Sequence, residues 1–113
     1  MKKLKLLLHV PESERFEAAL KQARNFALAM GDKPYEIIIL VNFEGVTVIE
    51  KFSTFTDLFK EVLNFGIKIF FCENALKAFN IPLEMVPKET HTVSAGILAL
   101  VEWQEEGFRY VRA

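Results

Sequence analysis

Three short runs, "KLKLLLHV" (residues 3–10), "YEIIILVN" (35–42) and "IKIFF" (67–71), are apolar almost throughout and rich in branched or aromatic side chains. A strand with one wet face alternates apolar and polar residues, whereas a strand covered on both faces does not. These runs therefore predict a parallel sheet held between layers of helix. Pro11 ends the first run. Between the first two, Phe16, Ala19, Leu20, Ala23, Phe26, Ala27 and Met30 recur at three- and four-residue spacing, which predicts a helix over 14–30 with one apolar stripe. Ser13 is placed to cap it.

After the turn at Gly45, "VTVIEKF" reads as a short extended piece. "TFTDLFKEVLNFG" reads as a helix: Thr54 and Asp57 resemble a capping pair, Phe55, Leu58, Phe59, Val62 and Leu63 line one face, and Gly66 closes it. "ENALKAF" predicts a short helix and "IPLEMVPK" an irregular passage. Residues 89–93 predict a fourth strand, 95–106 a last helix and "GFRYVRA" a final strand. Strands alternating with helices need crossover connections. The expected fold is thus an α/β, three-layer α/β/α sandwich with a mainly parallel sheet of about five strands, formed by residues 1–113 as one domain.

Charge and cysteine usage narrow the function classes. Fourteen Lys and Arg balance fifteen Asp and Glu, with no basic cluster beyond Lys2, Lys3 and Lys5, so nucleic acid is not an expected partner. No apolar stretch approaches the roughly 18 residues that cross a bilayer, and the opening "MKKLKLLLHVPESER" is too short in its apolar part for a signal peptide. A single cysteine forms no intrachain disulfide, and the expected compartment is the reducing cytoplasm. With one cysteine and two histidines no metal site is expected. No "GxGxxG" or "GxxxxGK[ST]" occurs, so no nucleotide cofactor is expected either. Eleven phenylalanines exceed what so small a core needs, which suggests that some meet another subunit.

In an open parallel sheet the loops that follow the strands gather at one edge, where ligands bind. Here that edge collects His9 after the first strand, Asn42 to Gly45 after the second, Cys72 after the third and Ser94 to Gly96 after the fourth. Cys72 also precedes the helix that starts near Glu73. Unpaired amides and the positive end of a helix dipole favour a thiolate there, although Glu73 itself opposes one. An exposed sulfur at this place would be nucleophilic; a buried one would be an inert structural thiol, and position alone fits both. His9 becomes its proton partner if the first and third strands lie close in the sheet. As a strand-end histidine it serves equally well in a single hydrogen bond, and His91 reads as a packing or surface residue.

The order of these pieces resembles the DsrE/DsrF-like family, which includes sulfur-relay subunits of the TusD type. The likeness runs through "LLLHV", the Gly45–Val46 turn, "GIKIFFCENAL", the "VSAG" step into the last helix and the closing "EEGFRYVRA". The resemblance implies a homo-oligomer, a trimer or a hexamer of stacked trimers. It also implies that Cys72 accepts sulfur as a persulfide and passes it from a donor to an acceptor protein. His9 would assist, and Asn42, Glu73, Asn74, Ser94 and Gly96 would form the surrounding ligand site. Two other readings stay open: a noncatalytic oligomeric module that binds a small anionic ligand or a protein partner at the same edge, with Cys72 buried, and a thiol redox sensor that pairs cysteines between subunits.

Overall fold

The computed structural model describes residues 2–113. Five strands, β1 (Leu4–Val10), β2 (Tyr35–Val41), β3 (Lys68–Cys72), β4 (His91–Val93) and β5 (Arg109–Arg112), form one sheet in the order β4-β3-β2-β1-β5. Every pairing is parallel, with Leu8 opposite Ile39 and Val111, and Cys72 opposite Val93. The helices α1 (Phe16–Met30), α2 (Thr56–Asn64) and α3 (Glu73–Ala78) connect strands that step in one direction across the sheet. Right-handed crossovers put all three on the same face. The step from β4 to β5 runs backwards, so α4 (Gly96–Glu105) covers the opposite face.

The two faces are unequal. Alternate strand residues Leu6, Leu8, Val10, Ile37, Ile39, Val41, Ile69 and Phe71 pack beneath α1, α2 and α3 in one large core. The other face buries Leu7, Ile38 and Leu40 under Leu100 of α4 and Phe108, with Trp103 and Phe70 stacked at 5.0 Å between ring centroids. Most of the phenylalanines are used inside the molecule. Phe52 meets Phe16, Phe55, Phe59 and Phe71 with ring centroids 5.0–6.5 Å apart, in tilted and edge-on contacts that match aromatic quadrupoles.

Several local expectations are corrected. Residues 46–52 are not extended, because Phe43–Phe55 winds into 3-10 turns, broken at Lys51, that bury Val46, Val48 and Ile49. Both sides of β2 are already paired, to β1 and β3, so a further strand leaving its end has no edge to join. The chain enters α2 directly from those turns, and no side chain caps the helix; Thr54 Oγ1 instead donates to Lys51 O at 2.8 Å. Ser13 does not cap α1, which starts from a 3-10 turn over Ser13–Arg15. Its N–H and hydroxyl donate to the Glu44 carboxylate at 2.8 and 2.6 Å, tying the loop after β1 to the loop after β2. Those two bonds hold the Glu44 carboxyl below the usual carboxylate range. The fourth strand is only His91–Val93, and the last helix begins at Gly96.

Gly45 lies where these two loops touch. A Cβ there would sit 2.3 Å from the carbonyl oxygen of Val10 and 3.1 Å from Val41 Cγ1, closer than backbone can yield. Gly45→Ala is expected to lower the unfolding free energy by about 3 kcal/mol, at the upper end for overpacking. Urea titration tests this: the midpoint should fall with an unchanged slope, and an unaltered midpoint would refute the tight packing.

Candidate functional site

The chain leaves β3 for α3 on one face of the sheet and leaves β4 for α4 on the other. At such a reversal adjacent loops part and leave a crevice at the carboxyl ends of the strands. A cleft of about 230 Å³ opens there. Its floor is made by Asn42, Cys72 and Gly96, its walls by Phe43, Ala75, Ala78, Phe79 and Ile97, with Asn74 and Ala95 completing the lining.

Cys72 ends β3 and immediately precedes α3, as expected, but it is only 5% exposed. Of the two placements the sequence left open, exposed or buried, the structure shows a sulfur recessed at the bottom of a cleft. Its Sγ accepts the Gly96 N–H at 3.3 Å. First-turn amides of a helix have no partner within the helix, and Ala95 offers no side-chain cap to α4. The amide is therefore free to serve the sulfur, and it binds a sulfur anion more strongly than a thiol. Glycine suits the close approach: a Cβ at Gly96 would lie 3.3 Å from Cys72 Cβ and 3.4 Å from Asn42 Cβ, so neighbours would have to shift by a few tenths of an ångström.

His9 does not reach Cys72. The first and third strands are separated by β2, so the condition for a direct partnership is not met. Instead His9 Nε2–H donates to Asn42 Oδ1 at 2.8 Å, and its Nδ1 accepts the Tyr110 hydroxyl at 2.5 Å. Burial pushes the His9 pKa below its ordinary 6.5 and Arg112 pushes the same way, against the opposing bond to Asn42. Asn42 is the one buried polar side chain among the described residues, at 5% exposure. With Oδ1 held by His9, its Nδ2 makes no hydrogen bond. Among the described residues no fully buried side-chain N or O atom lacks a partner, so this nitrogen is not fully enclosed, and Asn42 lines the cleft.

The remaining candidates divide. Asn42, Asn74 and Gly96 line the cleft together with Cys72, whereas Glu73 and Ser94 do not. The Glu73 carboxylate accepts the Thr92 hydroxyl at 2.6 Å, and Ser94 contributes its carbonyl oxygen to the Asn74 N–H at 3.3 Å. Sequence reasoning missed Tyr110 and the apolar walls. Ala75, Ala78 and Phe79 follow the i, i+3, i+4 spacing of one helical face, a signal that was available. Nothing in a four-residue edge strand announces that Tyr110 will fall beside His9. A larger cleft, about 390 Å³, lies at the opposite edge between Lys2, Lys3, Lys5 and Arg109. It is more basic than the sequence implied but holds no nucleophile, so the smaller cleft is the chemical one. Among the described residues no group of His, Cys, Asp and Glu could hold a metal ion, and no helix is long and apolar enough to cross a membrane.

The chain belongs to the DsrE/DsrF-like family, whose family model matches residues 5–113. Its fold is shared with the protein of unknown function MTH1491 from Methanobacterium thermoautotrophicum, at 20% identity, full coverage of both chains and a TM-score of 0.81. It is shared also with the conserved protein of unknown function BT1422 from Bacteroides thetaiotaomicron, at 19% identity, 98% and 94% coverage and a TM-score of 0.71. No curated protein matches the chain.

Because the His9 pKa is depressed by folding, the unfolded chain takes up its proton first as pH falls. The unfolding free energy is therefore expected to fall as pH drops from 6.5 through the lower folded midpoint, and His9→Gln should remove that part of the slope. An NMR titration of the His9 ring checks the cause directly; a midpoint at or above 6.5 would contradict it.

Proposed function

We propose that this protein is a sulfur-relay subunit that carries sulfur as a persulfide on Cys72, receiving it from a donor protein and passing it to an acceptor in the reducing cytoplasm. Membership of the DsrE/DsrF-like family points to sulfur relay in general. The observation that carries the specific reading is the recessed Cys72 sulfur, at the floor of a cleft where strand connections part, with the Gly96 N–H directed at it. In the transfer step the Cys72 thiolate attacks the outer sulfur of the donor's persulfide. The donor's S–S bond breaks, a new S–S bond forms at Cys72, and the donor leaves as a thiolate while the proton stays on the transferred outer sulfur. The Gly96 amide stabilises negative charge on sulfur; Asn42, oriented by His9 and Tyr110, offers a further donor. His9 is thus a positioning residue.

One observation favours a second reading. A Cys72 at 5% exposure is what a noncatalytic binding module would have. Intact mass after incubation with a persulfide donor separates the two. Relay predicts a gain of one sulfur atom that is absent in Cys72→Ser, whereas a binding module predicts no gain under any donor.

The assembly we propose is a homo-oligomer, a trimer or a hexamer. Its support is the single-helix layer, where Leu98 and Val101 of α4 and Tyr110 of β5, which pairs with Leu7, stay exposed on the side of the smaller core. Replacing both Leu98 and Val101 by Glu is expected to reduce the mass seen by light scattering to that of the monomer. An unchanged oligomer would place the interface elsewhere.

A further inference from the structure

Apart from the thiol itself, the cleft beside Cys72 carries no ionisable side chain. Its walls are hydrocarbon, from Phe43, Ala75, Ala78, Phe79 and Ile97, and its polar residues are the two amides Asn42 and Asn74. Phe43 is 68% exposed and Ile97 72% exposed, so large apolar groups stand at the mouth with little packing of their own. Phe43 also holds φ at 47°, a left-handed conformation that a bulky residue seldom adopts. At the floor, the 95%-buried Asn42 lines the cavity, and its amide nitrogen has no hydrogen-bond partner among the described residues. An unsatisfied donor in an otherwise apolar recess fits an uncharged ligand with one acceptor atom at its tip.

We infer that this cleft selects small, uncharged, apolar organic sulfur compounds, persulfides or disulfides of the form R–S–S–R′, and excludes those with a carboxylate beside the sulfur. The inference rests on the reading of Cys72 as a nucleophile and specifies what reaches it. A volume of about 230 Å³ exceeds the roughly 150 Å³ that admits benzene, so one ring-sized R group fits. A carboxylate on that group would lose hydration among residues that include no Lys or Arg lining the cleft. Asn42 Nδ2 and the Gly96 N–H approach the sulfurs from below. Persulfides of free amino acids, which carry a carboxylate near the sulfur, are disfavoured accordingly, whereas within a donor protein that carboxyl is an uncharged amide.

Two near-isosteric probes isolate charge from size: dithiodinicotinic acid, a dianion at neutral pH, and its uncharged diamide. For each, attack by the Cys72 thiolate forms a mixed disulfide and releases one equivalent of thiopyridine, which is read by absorbance. The rate constant is divided by that of a free cysteine derivative with the same probe. The diamide is expected to show a normalised rate about tenfold or more above that of the dianion, the scale of an uncompensated desolvated charge. Ile97→Lys, at an exposed position, should shrink that preference by accelerating the dianion. Equal normalised rates for both probes in the unmodified chain overturn the selectivity while leaving persulfide uptake intact. No reaction with either probe, together with no sulfur uptake, overturns the relay reading as well.

Discussion

The backbone amide of Gly96 lies 3.3 Å from the Cys72 sulfur, and much of the site follows from that contact. It requires α4 to begin flush against the end of β3, where a Cβ at position 96 would press on Cys72, Leu40 and Asn42 at 3.3–3.4 Å. It also consumes an amide that α4 cannot satisfy for itself. The same geometry produces the cleft: α3 and α4 leave neighbouring strands toward opposite faces, and the space between their first turns is the cavity. Strand order, helix placement and the surroundings of the sulfur are therefore one constraint seen at three scales.

The unequal layers are a second consequence of the topology. Three crossovers in one direction stack α1, α2 and α3 over one face, and a single reverse crossover leaves α4 alone on the other. One ten-residue helix cannot cover five strands. Apolar side chains on α4 and β5 stay in water unless a second copy covers them. Because α4 also supplies Gly96 and Ile97 to the cleft, assembly on this face would bring another subunit close to the sulfur.

Much of this was legible in the sequence. The apolar run at 37–41 and the run at 67–71, interrupted only by Lys68, announced doubly covered strands, and the alternation of strand and helix announced parallel pairing. From those followed the edge at which Cys72, Asn42 and Gly96 come together. What escaped was tertiary. The strand order put β2 between β1 and β3 and so moved His9 from a partner of Cys72 to a partner of Asn42. Residues 46–52 have β-branched composition, but β2 had no free edge to receive them, and tertiary context overrode propensity. The recess of Cys72 depends on α4 crossing from the far side of the sheet, which no local pattern encodes.

The central claim is that sulfur is added at Cys72, under the Gly96 amide and beside Asn42. Amide NMR of the folded protein, before and after treatment with a persulfide donor, tests it most directly. The largest shifts are expected at the Gly96 backbone and the Asn42 side-chain amide, reversed by reductant and absent in Cys72→Ser. Spectra that do not change, or that change only at residues away from this cleft, would contradict it.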